Sequence, residues 1–175
     1  MSDDLRYPIG KFDIEGPITP QRLRQWIAEI AATPGQLRAA VAGLTDAQLD
    51  TPYRPGGWTV RQVVHHLPDS HINSYCRFRL ALTEDAPTIK PYDEGRWAAL
   101  PDASSAPVEL SLALLESLHR RWVVLLESLT EAEWGRRFRH PELGERTLRG
   151  TAGVYAWHGR HHVAHITSLR SRMGW

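Results

Sequence analysis

Seven of the nine histidines in 175 residues fall into two groups, His65, His66 and His71 in one and His158, His161, His162 and His165 in the other. Imidazole is a common ligand of divalent transition metals, binding them as a neutral donor. Two imidazoles four residues apart on a helix project from successive turns of one face and can grip a single ion. The later group offers two such pairs, His158/His162 and His161/His165. The spacing is that of the H-E-x-x-H zincins without their glutamate. A metal site with one open position needs a third protein ligand, and the earlier group supplies candidates for it. A lone histidine is ordinarily a surface or hydrogen-bonded residue, so it is the second group on a different segment that favours metal.

The segments that must carry these side chains read as helices. Thr19 is an N-cap with Pro20 at the first helical position, and Leu23, Trp26, Ile27 and Ile30 recur at helical spacing. Thr33-Pro34-Gly35 interrupts the pattern and Leu37, Ala40, Val41 and Leu44 resume it, which predicts one broken helix or two short ones. Residues 44–58 read as a loop. Thr59 caps a second long helix reaching about Thr83, bent by Pro68. Residues 84–107 form a long connection, functional or disordered. A third helix runs from about Val108 to Leu129 on a stripe of Leu112, Leu115, Leu118, Trp122, Leu125 and Leu129. Residues 130–146 hold a helical turn around Trp134 and no strand-like alternation of useful length. Thr147 opens a fourth helix ending near Met173. Ahead of all this, residues 1–18 read as an extended arm. The expectation is an all-α fold, one domain over residues 1–175 built as a four-helix bundle whose long connections argue against up-down-up-down topology.

On a helical wheel with His158 at zero, the apolar residues Leu148, Tyr155, Ile166, Leu169 and Met173 centre at about 60°. His162 lies roughly 20° from that centre, His158 roughly 60°, His165 about 80° and His161 about 120°. The His158/His162 pair therefore points more directly inward. On the second helix His66 shares a polar strip with Ser70, Asn73 and Arg77, and His65 points roughly opposite to His71; the wheel does not choose between His66 and His71. Asp69 and Asn73, one and two turns beyond His66, are candidates for orienting a ligand or a substrate. Tyr92, Asp93, Glu94 and Trp97 are candidates for a lid, and Arg120 and Arg160 for neutralising an anion. Cys76 reads as a buried small hydrophobe, and Trp26, Trp122 and Trp157 as packing residues.

Composition narrows the function classes. The 21 basic and 20 acidic side chains leave a formal charge of +1, so no electrostatic footprint for nucleic acid or an anionic membrane is expected. One cysteine excludes an intrachain disulfide. The opening residues MSDDLRYPIGKF lack the apolar segment of a signal peptide, and no run approaches the roughly 20 apolar residues of a membrane span. The expected location is the cytoplasm.

Several stretches in order carry a resemblance: YPIG from Tyr7, then LDTPYRPGGWTVRQVVHHLPDSHINSYCRFRLALTE, PYDEGRW, SLALLESLHRRW and WHGRHHVAHI. Together they closely resemble the YfiT-type bacillithiol transferases of the DinB-like superfamily, often labelled metal-dependent hydrolases. The resemblance implies an up-down-down-up four-helix bundle, a homodimer, and one divalent ion per chain, zinc or nickel. It implies His66, the second histidine of the HHL motif, as first ligand, and His158 and His162 of WHGRHH as the other two. Pro68 is a departure at a position where an ordinary helix former is expected.

Three neutral imidazoles leave a divalent ion its full charge and an open position. Such a centre serves hydrolysis by lowering the pKa of bound water to about 7, or it binds a thiol as thiolate. The resemblance favours the second use, a transferase joining a bacillithiol-like thiol to an electrophile. A hydrolase and a non-catalytic, metal-stabilised dimeric module are the alternatives.

Overall fold

Each helix that carries a candidate ligand starts at a threonine whose hydroxyl accepts an orphan backbone N–H of the first turn. The computed structural model describes residues 5–14 and 16–175. Residues 1–4 and position 15, which belong to the arm expected over residues 1–18, lie outside the described residues. Helix α1 spans Pro20–Val41, and a single turn, α2, spans Asp46–Leu49. Helix α3 spans Val60–Thr83 behind a reciprocal cap: Thr59 Oγ1 accepts from Gln62 N at 3.1 Å while Gln62 Oε1 accepts from Thr59 N at 2.9 Å. The connection after it is ordered and contains two short helices, α4 (Glu94–Ala98) and α5 (Pro101–Ser104). Helix α6 covers Val108–Ser128 and the turn α7 Glu131–Trp134. Helix α8, Leu148–Met173, is capped by Thr147.

Three expectations are corrected. Helix α1 runs through Pro34 without a break, because Ile30 and Leu37 on either side are completely buried and hold the axis against the loss of one hydrogen bond. The 44–58 loop contains the turn α2, pinned by the buried guanidinium of Arg61, which donates to Asp50 at 2.7 Å and Asp46 at 2.9 Å. Between α7 and α8, strands β1 (Arg137–His140) and β2 (Gly144–Thr147) pair antiparallel with His140 opposite Gly144. Gly144, at φ +72°, supplies the left-handed residue this short hairpin needs. Only Phe138 of β1 is buried, so there was no period-two pattern to read.

Partner residues fix the directions of the long helices. Along α1 and α8, Trp26 meets Gly153, Thr33 meets Gly159, and Ala40 O accepts from Arg170 at 2.8 Å, so the two run parallel. His65 with Ser111, then His71 with His119, make α3 and α6 parallel. Ile30 with His119 and Arg38 with Glu109 set α1 against α6 in the opposite sense. The bundle is up-down-down-up. Helices α1 and α8 approach closely because a Cβ at Gly159 would stand 2.5 Å from Thr33 Oγ1, and one at Gly153 2.8 Å from the Trp26 ring.

Two apolar cores result. One end holds Trp26, Ile30, Phe78, Trp122, Trp134 and Leu148; the other holds Leu37, Val60, Val64, Leu67, Leu115 and Ile166. All four long helices place buried polar residues between the cores: Thr33; Ser70, His71 and Ser74; His119; and His161, His162 and His165. Among the described residues no helix is long and apolar enough to cross a membrane.

Candidate metal centre

His66 reaches this polar layer from α3, and His158 and His162 reach it from successive turns of α8. The helices run antiparallel, so the rings converge: His158 Nε2 lies 3.3 Å from His66 Nε2 and 3.2 Å from His162 Nε2. Two nitrogens each about 2.0–2.1 Å from a tetrahedral ion stand roughly 3.3 Å apart. The three side chains form a cluster whose donor atoms all lie within 4.8 Å of one another. Burial pushes His66 down to about 4, with His165 adding repulsion, and holds His158 and His162 well below the usual imidazole range. Neutral rings keep a lone pair for a cation, so the donor set fits a divalent metal.

The triad opens on a cleft of about 490 Å³. Trp58 forms one wall, its ring 4.7 Å from His66. Trp157 forms another, stacked at 4.3 Å on His161 and tied through Nε1 to Gly10 O at 3.2 Å. It is therefore part of the cleft as well as a packing residue, whereas Trp26 and Trp122 are buried in the core. Tyr92 and Glu94 bring the long connection to the rim, while Asp93 caps α4 through Arg96 N and Trp97 packs on Tyr92 at 4.5 Å. Burial raises the Tyr92 phenol, opposed by a hydrogen bond with Ser70. Arg77 and His140 complete the mouth.

Other sequence candidates lie elsewhere. Asn73 donates to the Asp69 carbonyl at 2.8 Å inside its own helix, and burial followed by the Asp102 carboxylate raises Asp69 to about 6. Neither lines the cleft. Arg160 faces Glu29 at 3.3 Å and Arg120 stands one residue past the inward His119, so both point away from the triad. Arg77, on the strip with His66, is the arginine at the cleft. Cys76 is exposed, not buried.

The groups that touch the ligands from behind are further histidines. His71 Nε2 lies 3.1 Å from His158 Nδ1, and His165 Nδ1 lies 3.3 Å from His162 Nδ1. His65 is occupied with Ser111 Oγ at 2.7 Å and Ala106 O at 3.1 Å. His161 and His165 are buried although the wheel turned them away, because residues of the N-terminal arm and Tyr53 cover that side of α8: Tyr7 packs at 5.8 Å on His161, and Tyr53 stacks at 4.0 Å on His165. His119 lies outside both histidine groups of the sequence. Its signal is a histidine on the apolar stripe of α6, between Leu115 and Trp122.

Fold and site thus define a four-helix bundle with a three-histidine candidate metal centre between its cores. Comparison with known proteins specifies the class: the chain belongs to the DinB superfamily, whose sequence profile matches residues 29–166. A relative from Bacillus cereus (strain 03BB102), named "Putative metal-dependent hydrolase", is 60% identical over 173 residues, 99% of each chain. One of the same name from Bacillus mycoides (strain KBAB4) is 60% identical over 172 residues, covering 98% of this chain and 99% of the relative. Among solved structures, YfiT from Bacillus subtilis, described as a probable metal-dependent hydrolase with an unusual four-helix bundle topology, superposes with a TM-score of 0.96. It is 51% identical, over 98% of this chain and 99% of that one. TT2238, a four-helix bundle protein, shares the fold with a TM-score of 0.54 at 20% identity, over 85% of this chain and 98% of its own.

Proposed function

We propose that this chain is a metal-dependent enzyme that conjugates a small thiol of the bacillithiol kind to an electrophile. The observation that carries the reading is the convergence of three neutral Nε2 donors on an open cleft. A divalent ion held there keeps its full charge and stabilises the conjugate base of a thiol or of water. Zinc suits an all-imidazole, four-coordinate site, with nickel the alternative. The chain's own groups do the rest. Trp58 and Trp157 form two walls of the cleft, the Tyr155 phenol and Ser70 hydroxyl, 3.5 Å apart, offer polar contacts, and Arg77 offers a positive charge to an acidic thiol. In the transfer, sulfur bonds to the electrophilic carbon, the leaving group departs with its electron pair, and the thiol proton passes to solvent. A homodimeric, cytoplasmic protein belongs to the same proposal.

Hydrolysis by activated water is the second reading, and the names of the relatives favour it. Zinc-loaded protein incubated with bacillithiol and monochlorobimane is expected to form the fluorescent conjugate, and His162→Ala to lose that turnover with the fold intact. Ester or amide cleavage without thiol would favour the second reading. Conjugation unchanged in His162→Ala would remove the triad from the reaction.

A further inference from the structure

Two of the three candidate ligands are backed by chains of histidine that end on backbone carbonyls. Behind His158, Nδ1 meets His71 Nε2 at 3.1 Å; His71 Nδ1 meets His119 Nε2 at 2.8 Å; and His119 Nδ1 lies 2.6 Å from the carbonyl oxygen of Ile30. Behind His162, Nδ1 meets His165 Nδ1 at 3.3 Å, and His165 Nε2 lies 3.0 Å from the carbonyl oxygen of Arg6 in the N-terminal arm.

A carbonyl has no proton to give, and that fixes the order of every proton behind it. His119 must donate from Nδ1, so the neutral ring presents a bare Nε2. His71 then donates to it from Nδ1 and accepts on its own Nε2. His158 is left to donate from Nδ1, and its Nε2 carries a lone pair. By the same steps His165 donates from Nε2 to Arg6 and accepts on Nδ1, so His162 donates from Nδ1 and its Nε2 is bare as well. The 3.2 Å between the two Nε2 atoms is then no hydrogen bond. Two lone pairs face each other, and a shared cation removes their repulsion.

We propose that His71, His119 and His165 are positioning residues that lock His158 and His162 in the metal-binding tautomer, each chain grounded on a main-chain carbonyl. Pro34 explains how the first ground is available. In a regular helix the Ile30 carbonyl would accept from the N–H of residue 34, but proline has none. The carbonyl that Pro34 leaves without its helical donor is the one His119 takes. The rings are held by packing: His71 stacks on His119 at 4.8 Å and meets Tyr155 edge-on at 4.9 Å.

The inference rests on the metal reading above, and its test separates the two. Zinc affinity is measured by chelator competition at pH 7.5 for the full chain and for His119→Phe and His119→Gln, with side-chain ¹⁵N spectra of the metal-free proteins. Outer partners of metal-bound histidine are worth about 10–100-fold in affinity. His119→Phe is expected to weaken zinc by that factor and to mix the tautomers of His158, which in the parent chain is protonated on Nδ1. His119→Gln, which keeps a donor and an acceptor, is expected to recover most of the affinity. Affinity in the Phe variant within about twofold of the parent, against the range typical of such partners, would overturn the proposal, and so would a Gln variant as weak as Phe. Should His119→Phe not fold, His165→Phe on the other chain carries the same readout. A parent chain that binds no zinc would contradict the metal reading, and the nitrogen spectra would still decide the proton order.

Discussion

Trp122 and His119 stand three residues apart on α6, both essentially without solvent contact, yet they belong to regions built on different rules. Trp122 sits in the aromatic core, edge-on to Phe78 at 5.4 Å, and its indole N–H has no hydrogen-bond partner among the described residues. That region holds by area, and a single unpaired N–H is absorbed. One turn away, in the polar layer, both nitrogens of His119 have one partner each, as do both nitrogens of His71. A buried polar chain is high-stakes because each unmade bond leaves a desolvated group. The contrast teaches that burial alone does not identify a core: the apolar ends make the bundle, and the layer between them orders protons.

Substitutions that touch one region and spare the other test the contrast. The largest expected effect is in the aromatic core, where Phe78, packed edge-on against Trp122 and Trp134, is fully buried and Phe78→Ala should cost about 3–5 kcal/mol in urea unfolding. Zinc affinity of its folded fraction should stay within a few-fold; a loss comparable to that of a ligand variant would merge the two regions. Next comes pH. Burial, opposed by the bond to Ile30, pushes His119 down to about 4 from an ordinary 6.5. Between those values the unfolded chain binds the extra proton, so stability rises with pH there, is complete above about 6.5, and is lost as pH falls toward 4. The metal-free protein should lose on the order of 3 kcal/mol across this window from His119 alone, and His119→Gln should lack that component. An identical pH profile in the variant would contradict the neutral, buried ring.

A smaller effect is expected at the contact between α1 and α8. The Gly159→Ala methyl group would press on Thr33, and overpacking of this kind costs about 1–3 kcal/mol; thermal unfolding reads it. The smallest is Thr59→Ala, which removes the cap of the helix bearing His66 and should cost about 1 kcal/mol. A Thr59 variant that lost more stability than the Gly159 variant would reverse the order.

What the sequence discloses follows from how local each cause is. Thr19, Thr59 and Thr147 mark helix starts correctly because a hydroxyl and the N–H it accepts are three residues apart. His158 and His162 are legible as a pair because their spacing is a property of one helix. Pro34 misleads because the bond it removes is local, whereas Ile30 and Leu37, which hold the helix, pack against other elements. The carbonyl it frees is answered from α6, 89 residues away in sequence. His161 and His165 look peripheral on a wheel that does not include the covering arm. Asp69 and Asn73 are plausible orienting groups by type and spacing, but a one-helix projection cannot show that His71 and His165 already occupy the backs of the ligands.

Zinc K-edge absorption on protein loaded with one equivalent of metal bears most directly on the triad. Three imidazole nitrogens are expected at about 2.0–2.1 Å with one exchangeable light atom, and one imidazole fewer in His162→Ala. An imidazole count that is the same in both proteins, or the spectrum of a hydrated ion in the parent, would contradict that coordination.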